Sequence, residues 1–129
     1  MYRSVTLCTT LLCIMMCHES AYAHEMTPTY PEWRPSHIQG VYKTSLKMFN
    51  KRRDVEYYEI GVFDKDWKPL QFVSQYRLFK MEYLAHVEFD VYISAVDKIK
   101  AEYICSKSKL RLLSEKKSMV SSRICSRFK

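Results

Sequence analysis

Two sets of side chains in this 129-residue sequence could do chemistry: the histidines and the cysteines. His24 directly follows Ala21-Tyr22-Ala23. A chain that started at His24 would present an α-amine and an imidazole that together chelate copper, and His37 or His86 could supply a further nitrogen. Such a protein would be a copper-binding secreted protein, the alternative to the reading developed below. Hydrolytic chemistry has little to stand on. Glu88 and Asp90 share a strand face with His86, on the expected solvent side, and there is no Gly-x-Ser-x-Gly motif. Two glycines exclude a P-loop or a dinucleotide fingerprint, each of which needs several glycines in one turn. Tyrosines such as Tyr57, Tyr58 and Tyr76 could stack on sugars or bases, but with ten tyrosines most will pack within the fold. The reading is therefore of a protein that is not an enzyme.

The cysteines depend on where the chain is cut. Residues 1–23 carry Arg3, an apolar stretch from Val5 to Cys17 and the small-x-small ending at Ala23. That is the pattern of a secretory signal peptide, and the stretch is shorter than the roughly 20 residues a membrane span needs. Cleavage removes Cys8, Cys13 and Cys17 and leaves Cys105 and Cys125. Two cysteines in an exported domain most simply form one disulfide, and 19 intervening residues without a Cys-x-x-Cys do not support a metal or redox pair. The location expected is periplasmic or secreted.

Charge separates the last segment from the rest. Residues 24–106 carry twelve basic and twelve acidic side chains, whereas Lys107–Lys129 carries eight basic and one acidic, so the net charge of +7 sits in that segment. An anionic surface or an acidic protein would be drawn to it. Nucleic acid fits the charge but not the export signal.

These residues have to be positioned by strands. Residues 24–40, with Pro28, Pro31, Pro35 and Gly40, read as an extended lead-in. After it the apolar period is two. Tyr42, Leu46 and Met48 share one face of 42–49, and Tyr58, Ile60 and Val62 share one face of 56–63. A polar turn follows over 64–69, and short strands over 70–72 and 76–81. Ala85, Val87, Phe89, Val91 and Ile93 alternate with His86, Glu88, Asp90 and Tyr92. The spacing predicts Ile99, Ala101, Tyr103 and Cys105 on one face of 98–105, and Val120, Ile124 and Phe128 on one face of 118–128. About seven short strands over 41–129 predict an all-β, immunoglobulin-like antiparallel sandwich in a single domain.

From Met48-Phe49-Asn50, Val55–Asp64, Pro69, Glu88–Ile93, Tyr103-Ile104-Cys105 and Ser122–Ser126, the chain resembles the immunoglobulin-like domain of PapD-like periplasmic pilus-assembly chaperones. The resemblance covers residues 41–129, one of the two domains of those chaperones. It implies a Cys105–Cys125 bond joining the sixth and seventh strands across a long loop. It also implies a seventh strand that lends alternating apolar side chains, here Val120, Ile124 and Phe128, to an incomplete protein subunit. Arg123 is the candidate for one of the family's basic residues that hold the subunit's carboxylate. The partner so implied is another envelope or extracellular protein, bound by pairing at a strand edge. The competing use of the same three residues is to finish this domain's own core.

Overall fold

The computed structural model describes residues 23–109 and 120–129. They form nine strands and one turn of helix: β1 (Glu25–Thr27), β2 (Arg34–Pro35), β3 (Val41–Phe49), β4 (Tyr57–Asp64), β5 (Val73–Ser74), β6 (Leu78–Lys80), β7 (His86–Ser94), α1 (Ala95–Lys98), β8 (Ala101–Lys109) and β9 (Arg123–Arg127). One sheet runs β1-β3-β7-β5, with β2 also on β3, and the other runs β6-β4-β8-β9. All pairings are antiparallel. The chain is thus the all-β, immunoglobulin-like sandwich that the alternation predicts.

The alternation works as expected in β3, β4 and β7. Leu46 and Met48, Tyr58, Ile60 and Val62, and Phe89, Val91 and Ile93 are all buried between the sheets. Each such side chain contributes about 1.5–3 kcal/mol on leaving water. The 64–69 turn forms through Asp64, whose carboxylate accepts from the backbone N–H groups of Asp66 and Lys68 at 2.8 and 2.9 Å. Gly40 turns the chain into β3 at φ 77°, a conformation open to glycine, and its carbonyl accepts from Ala95.

Three expectations need correction. The lead-in is not merely extended. β1 and β2 pair with opposite ends of β3, and between them the chain leaves that sheet, so that the carbonyls of Thr29 and Pro31 accept from Arg127 and Lys129 beside β9. The strand expected at 70–72 lies instead at 73–74, and before it Pro69 makes a single bridge to Phe63. The face assigned to 98–105 is inverted for most of its length. A bulge opposite Phe63 and Asp64 puts Ala101 on the inner side and Tyr103 and Cys105 on the outer side, and Ile99 lies exposed before the strand. The inward residues of β8 beyond the bulge are Ile104, Ser106 and Ser108.

Candidate functional site

The final strand is where the sequence places most of its expectations. Antiparallel pairing alternates, so successive residues direct their backbone groups to opposite sides. Ser108 N–H donates to Ser122 and Phe128 N–H donates to Glu102, so the even-numbered residues of this segment face β8. The odd-numbered ones face away. Arg127 and Lys129 donate to the lead-in, at Thr29 and Pro31. The stretch Arg123–Cys125 has no strand on its outer side among the described residues. Five strands lie at the edges of the two sheets: β1, β2, β5 and β6 have two or three residues, and β9 has five. Short edges resist adventitious pairing, so β9 is the edge best able to accept another strand.

Cys105 and Cys125 stand directly opposite each other and are disulfide-bonded, with their Cα atoms 4.0 Å apart. The bond holds β9 on β8 at its middle residue. Arg123 projects from the outer face, its guanidinium 5.6 Å from the Phe63 ring centre. It borders a groove of about 290 Å³ lined by Phe63, Leu70, Phe72, Arg77 and Lys107, where Arg77 lies over Phe72 at 4.8 Å. Ile124 is half-buried against the core, and Val120, ahead of the strand, is 66% exposed. Phe128 behaves differently from the other three. It is buried and stacks on Trp33 with ring centres 4.4 Å apart, so it belongs to this domain's core and is withdrawn as a partner contact.

His24 also has another use. The ring is 1% exposed and packs on Tyr58 at 4.6 Å. Its Nε2 lies 2.7 Å from Ser106 Oγ and its Nδ1 3.2 Å from Ser122 Oγ. Burial pushes its pKa down to about 4. The backbone of Ser106 pulls the other way, and the charge of Arg52 lowers it further. Both nitrogens thus hold β1's entry to β8 and β9, leaving neither free for a metal. His86 stacks on Phe49 at 4.2 Å, and His37 is exposed ahead of β3, by the end of the sandwich opposite His24. Among the described residues no three His, Cys, Asp or Glu side chains are grouped to hold a metal ion. In this structure the side chain of His24, the residue expected to hold copper, is engaged in packing instead.

The sequence reading missed the polar cluster that His24 joins. Asn50 is fully buried and uses its whole side-chain amide: Nδ2 donates to the carbonyls of Val55 and Met81, both at 2.9 Å, and Oδ1 accepts from Tyr58 Oη at 2.7 Å and Arg52 N–H at 2.8 Å. Burial pushes Tyr58 up to about 12. Arg52, 7% exposed, grips Asp54 with two bonds, Nε to Oδ1 at 2.9 Å and Nη2 to Oδ2 at 2.6 Å. It reaches on to β9's leading end, Nη1 to Ser122 Oγ at 3.2 Å and Nη2 to the Val120 carbonyl at 2.9 Å. Ser122 N–H donates to Ser108 Oγ at 2.7 Å. The alternation over Ile99–Cys105 gave no signal for it, because that pattern leaves Ser106 and Ser108 on the opposite, polar face.

The polar outer face of the other sheet forms cross-strand ion pairs. Lys47 meets Glu88 at 2.8 Å, Lys43 meets Asp90 at 3.5 Å, and Ser45 also donates to Asp90. Glu88 and Asp90 line an open groove with Thr27, Pro28 and Gln75, and His86 is not part of it. In the basic segment Lys109 pairs with Glu59, Arg127 with Glu102 and Lys129 with Glu32. Arg111, Lys116 and Lys117 lie outside the described residues.

The fold is similar to two solved structures. One is the E. coli chaperone DraB, at TM-score 0.60 and 16% identity, with 83% of this chain aligned to 53% of that one. The other is the periplasmic chaperone SfaE, at TM-score 0.51 and 16% identity, with 82% of this chain aligned to 56% of that one. The aligned region thus spans little more than half the length of each. No family model matches the sequence, and no curated protein sequence does either.

Proposed function

We propose that this chain is an exported, chaperone-like protein-binding module without enzymatic activity, which receives a strand of a protein partner along the outer edge of β9. The observation that carries the reading is the backbone at Arg123–Cys125, open among the described residues and on the longest of the edge strands, with Val120 exposed ahead of it and Ile124 half-buried. An incoming strand would bond its backbone to these two residues and lay apolar side chains against Val120 and Ile124. Similarity in fold to two chaperones supports the same reading.

The lead-in argues that the partner is a different protein. Two copies joined β9 to β9, antiparallel about Cys125, would have to pair Arg127 with Arg123 of the other, and the Arg127 N–H already donates to Thr29. A strand with an acidic residue opposite Arg123 would meet its exposed guanidinium. The disulfide supports an oxidising compartment, and the secretory pattern of residues 1–23 supports cleavage after Ala23, which together favour the periplasm or the cell exterior. The partner on this reading is another envelope or extracellular protein.

The test uses a photo-crosslinking residue at Val120 in producing cells, with one at Val73, on β5, as the control edge. Adducts with a discrete protein are expected from Val120 and not from Val73. Arg123→Pro removes one outward N–H without touching a bond to β8, so it should abolish the adduct at an unchanged melting temperature. Equal adducts from both edges, or an adduct that survives Arg123→Pro, would overturn the reading.

A further inference from the structure

We propose that Arg52 is the positioning residue of the β9 edge, holding the stretch Val120–Ser122 in place so that Arg123–Cys125 presents a straight, ordered edge to a partner. The inference rests on the reading of β9 as the partner-binding edge.

The disulfide alone cannot do this. It places Cys125 opposite Cys105 and so sets the register, but among the described residues those ahead of it are joined to β8 through main-chain bonds and serine hydroxyls. A strand end beyond its last fixed point frays. Arg52 supplies a second fixed point from elsewhere in the fold, the connection between β3 and β4, 68 residues from Val120 and 70 from Ser122. The two anchors lie on either side of Arg123 and define the open edge between them.

Arg52 is itself held. Its backbone N–H donates to Asn50, which is tied to Val55, Met81 and Tyr58, and Asp54 takes Nε and Nη2 together. The guanidinium plane is therefore set before it meets β9, and two of its three remaining hydrogens point at Ser122 and Val120. A lysine ammonium has three donors on a flexible stem and lacks the fork that serves Asp54 and β9 at once. Asp54 is half-exposed, so it can be solvated if its partner is removed.

Hydrogen exchange on the oxidised full chain tests the proposal. The Ser108 amide, bonded to Ser122, reports the leading end of β9; the Phe128 amide, bonded to Glu102, reports its far end; the Leu70 amide, bonded to Val62, reports the rest of the sandwich. Arg52→Met should speed exchange at Ser108 roughly tenfold or more and leave Phe128 and Leu70 unchanged. Arg52→Lys should give an intermediate rate. Ser122→Ala, which removes one of Arg52's contacts, along with that hydroxyl's contacts to His24 and Ser108, and leaves the Arg52–Asp54 pair untouched, should give a smaller rise at Ser108 alone. The Val120 adduct should weaken in the same order, with the melting temperature little changed. Exchange that rises equally at all three amides would make Arg52 a general stabiliser and overturn the proposal, as would exchange that does not change. Neither result depends on a partner, so failure here is distinct from the absence of a β9 adduct in the unaltered protein.

Discussion

Acid should weaken this fold through His24, and the effect can be worked from its surroundings. The ring is almost wholly buried. Ser106 and Ser122 face its nitrogens from β8 and β9, Tyr58 lies against it from β4, and the Arg52 cation stands nearby, balanced in part by Asp54. On its own strand Glu25 points outward and pairs with Lys51. Ser122 Oγ already faces the guanidinium, so a second proton on the ring would set cation beside cation. The folded value is about 4, against 6.5 for an unperturbed histidine. Here the folded pKa lies below the unfolded one, so the unfolded chain binds more protons between the two. The contribution of neutral His24 is complete above about pH 6.5, falls as pH drops towards 4, and changes no further below that. Each unit of difference is worth 1.36 kcal/mol, giving ceilings of about 1.4 kcal/mol lost at pH 5.5 and about 2.6 kcal/mol at pH 4.5. Urea unfolding of the oxidised protein and of His24→Gln, at pH 7.5, 5.5 and 4.5, measures this directly. Glu32, Glu88 and Asp90, all held below their usual range chiefly by hydrogen bonds from Lys129, Lys47 and Ser45, titrate in both proteins and cancel. The stability gap between the two proteins should shrink by about 2 kcal/mol or more from pH 7.5 to 4.5. A gap that stays constant would refute the reasoning, because His24 would then titrate alike in both states.

Reducing the Cys105–Cys125 bond, or replacing both residues with serine, should cost about 3 kcal/mol on the chain-entropy account for a separation of 20 residues, read from the urea midpoint. Phe128→Ala should cost about 3–5 kcal/mol because the ring is buried on Trp33, whereas Val120→Ala should stay within about 0.5 kcal/mol; equal losses would contradict the burial of one and the exposure of the other. Asn50→Ala should cost at least about 2 kcal/mol, since it strands the Tyr58 hydroxyl and two buried carbonyls, and Tyr58→Phe made in that background should then be close to neutral.

What the sequence determined by itself was the pattern that a strand writes locally. Period-two alternation in Val87–Ile93 and Tyr58–Val62 can be satisfied only by a strand with one buried face, and Asp64–Pro69 can only turn, so the sandwich was legible without coordinates. Reading residues 1–23 as a signal peptide left two cysteines, which pointed to one bond in the same way. The tertiary structure decided whatever depends on a distant neighbour. Ser106 and Ser108 read as solvent-facing, yet they lie inside because His24 and Ser122, 82 and 14 residues away, bond them there. A bulge opposite Phe63 and Asp64 turned Tyr103 and Cys105 outward, and no count of apolar spacing registers one extra residue in a ladder. His24 read as a metal ligand because its neighbours in the chain leave it free, and became a structural residue because its neighbours in space do not. The same holds for β9. Its apolar residues could be listed from the sequence, but Phe128 met Trp33 and became core, while among the described residues the lead-in, crossing from one sheet to the other, covers only the far end of that edge and leaves Arg123–Cys125 without a strand beside it. Local sequence fixes a strand's period; which of its faces and edges remain unpartnered is settled only when the whole chain has packed.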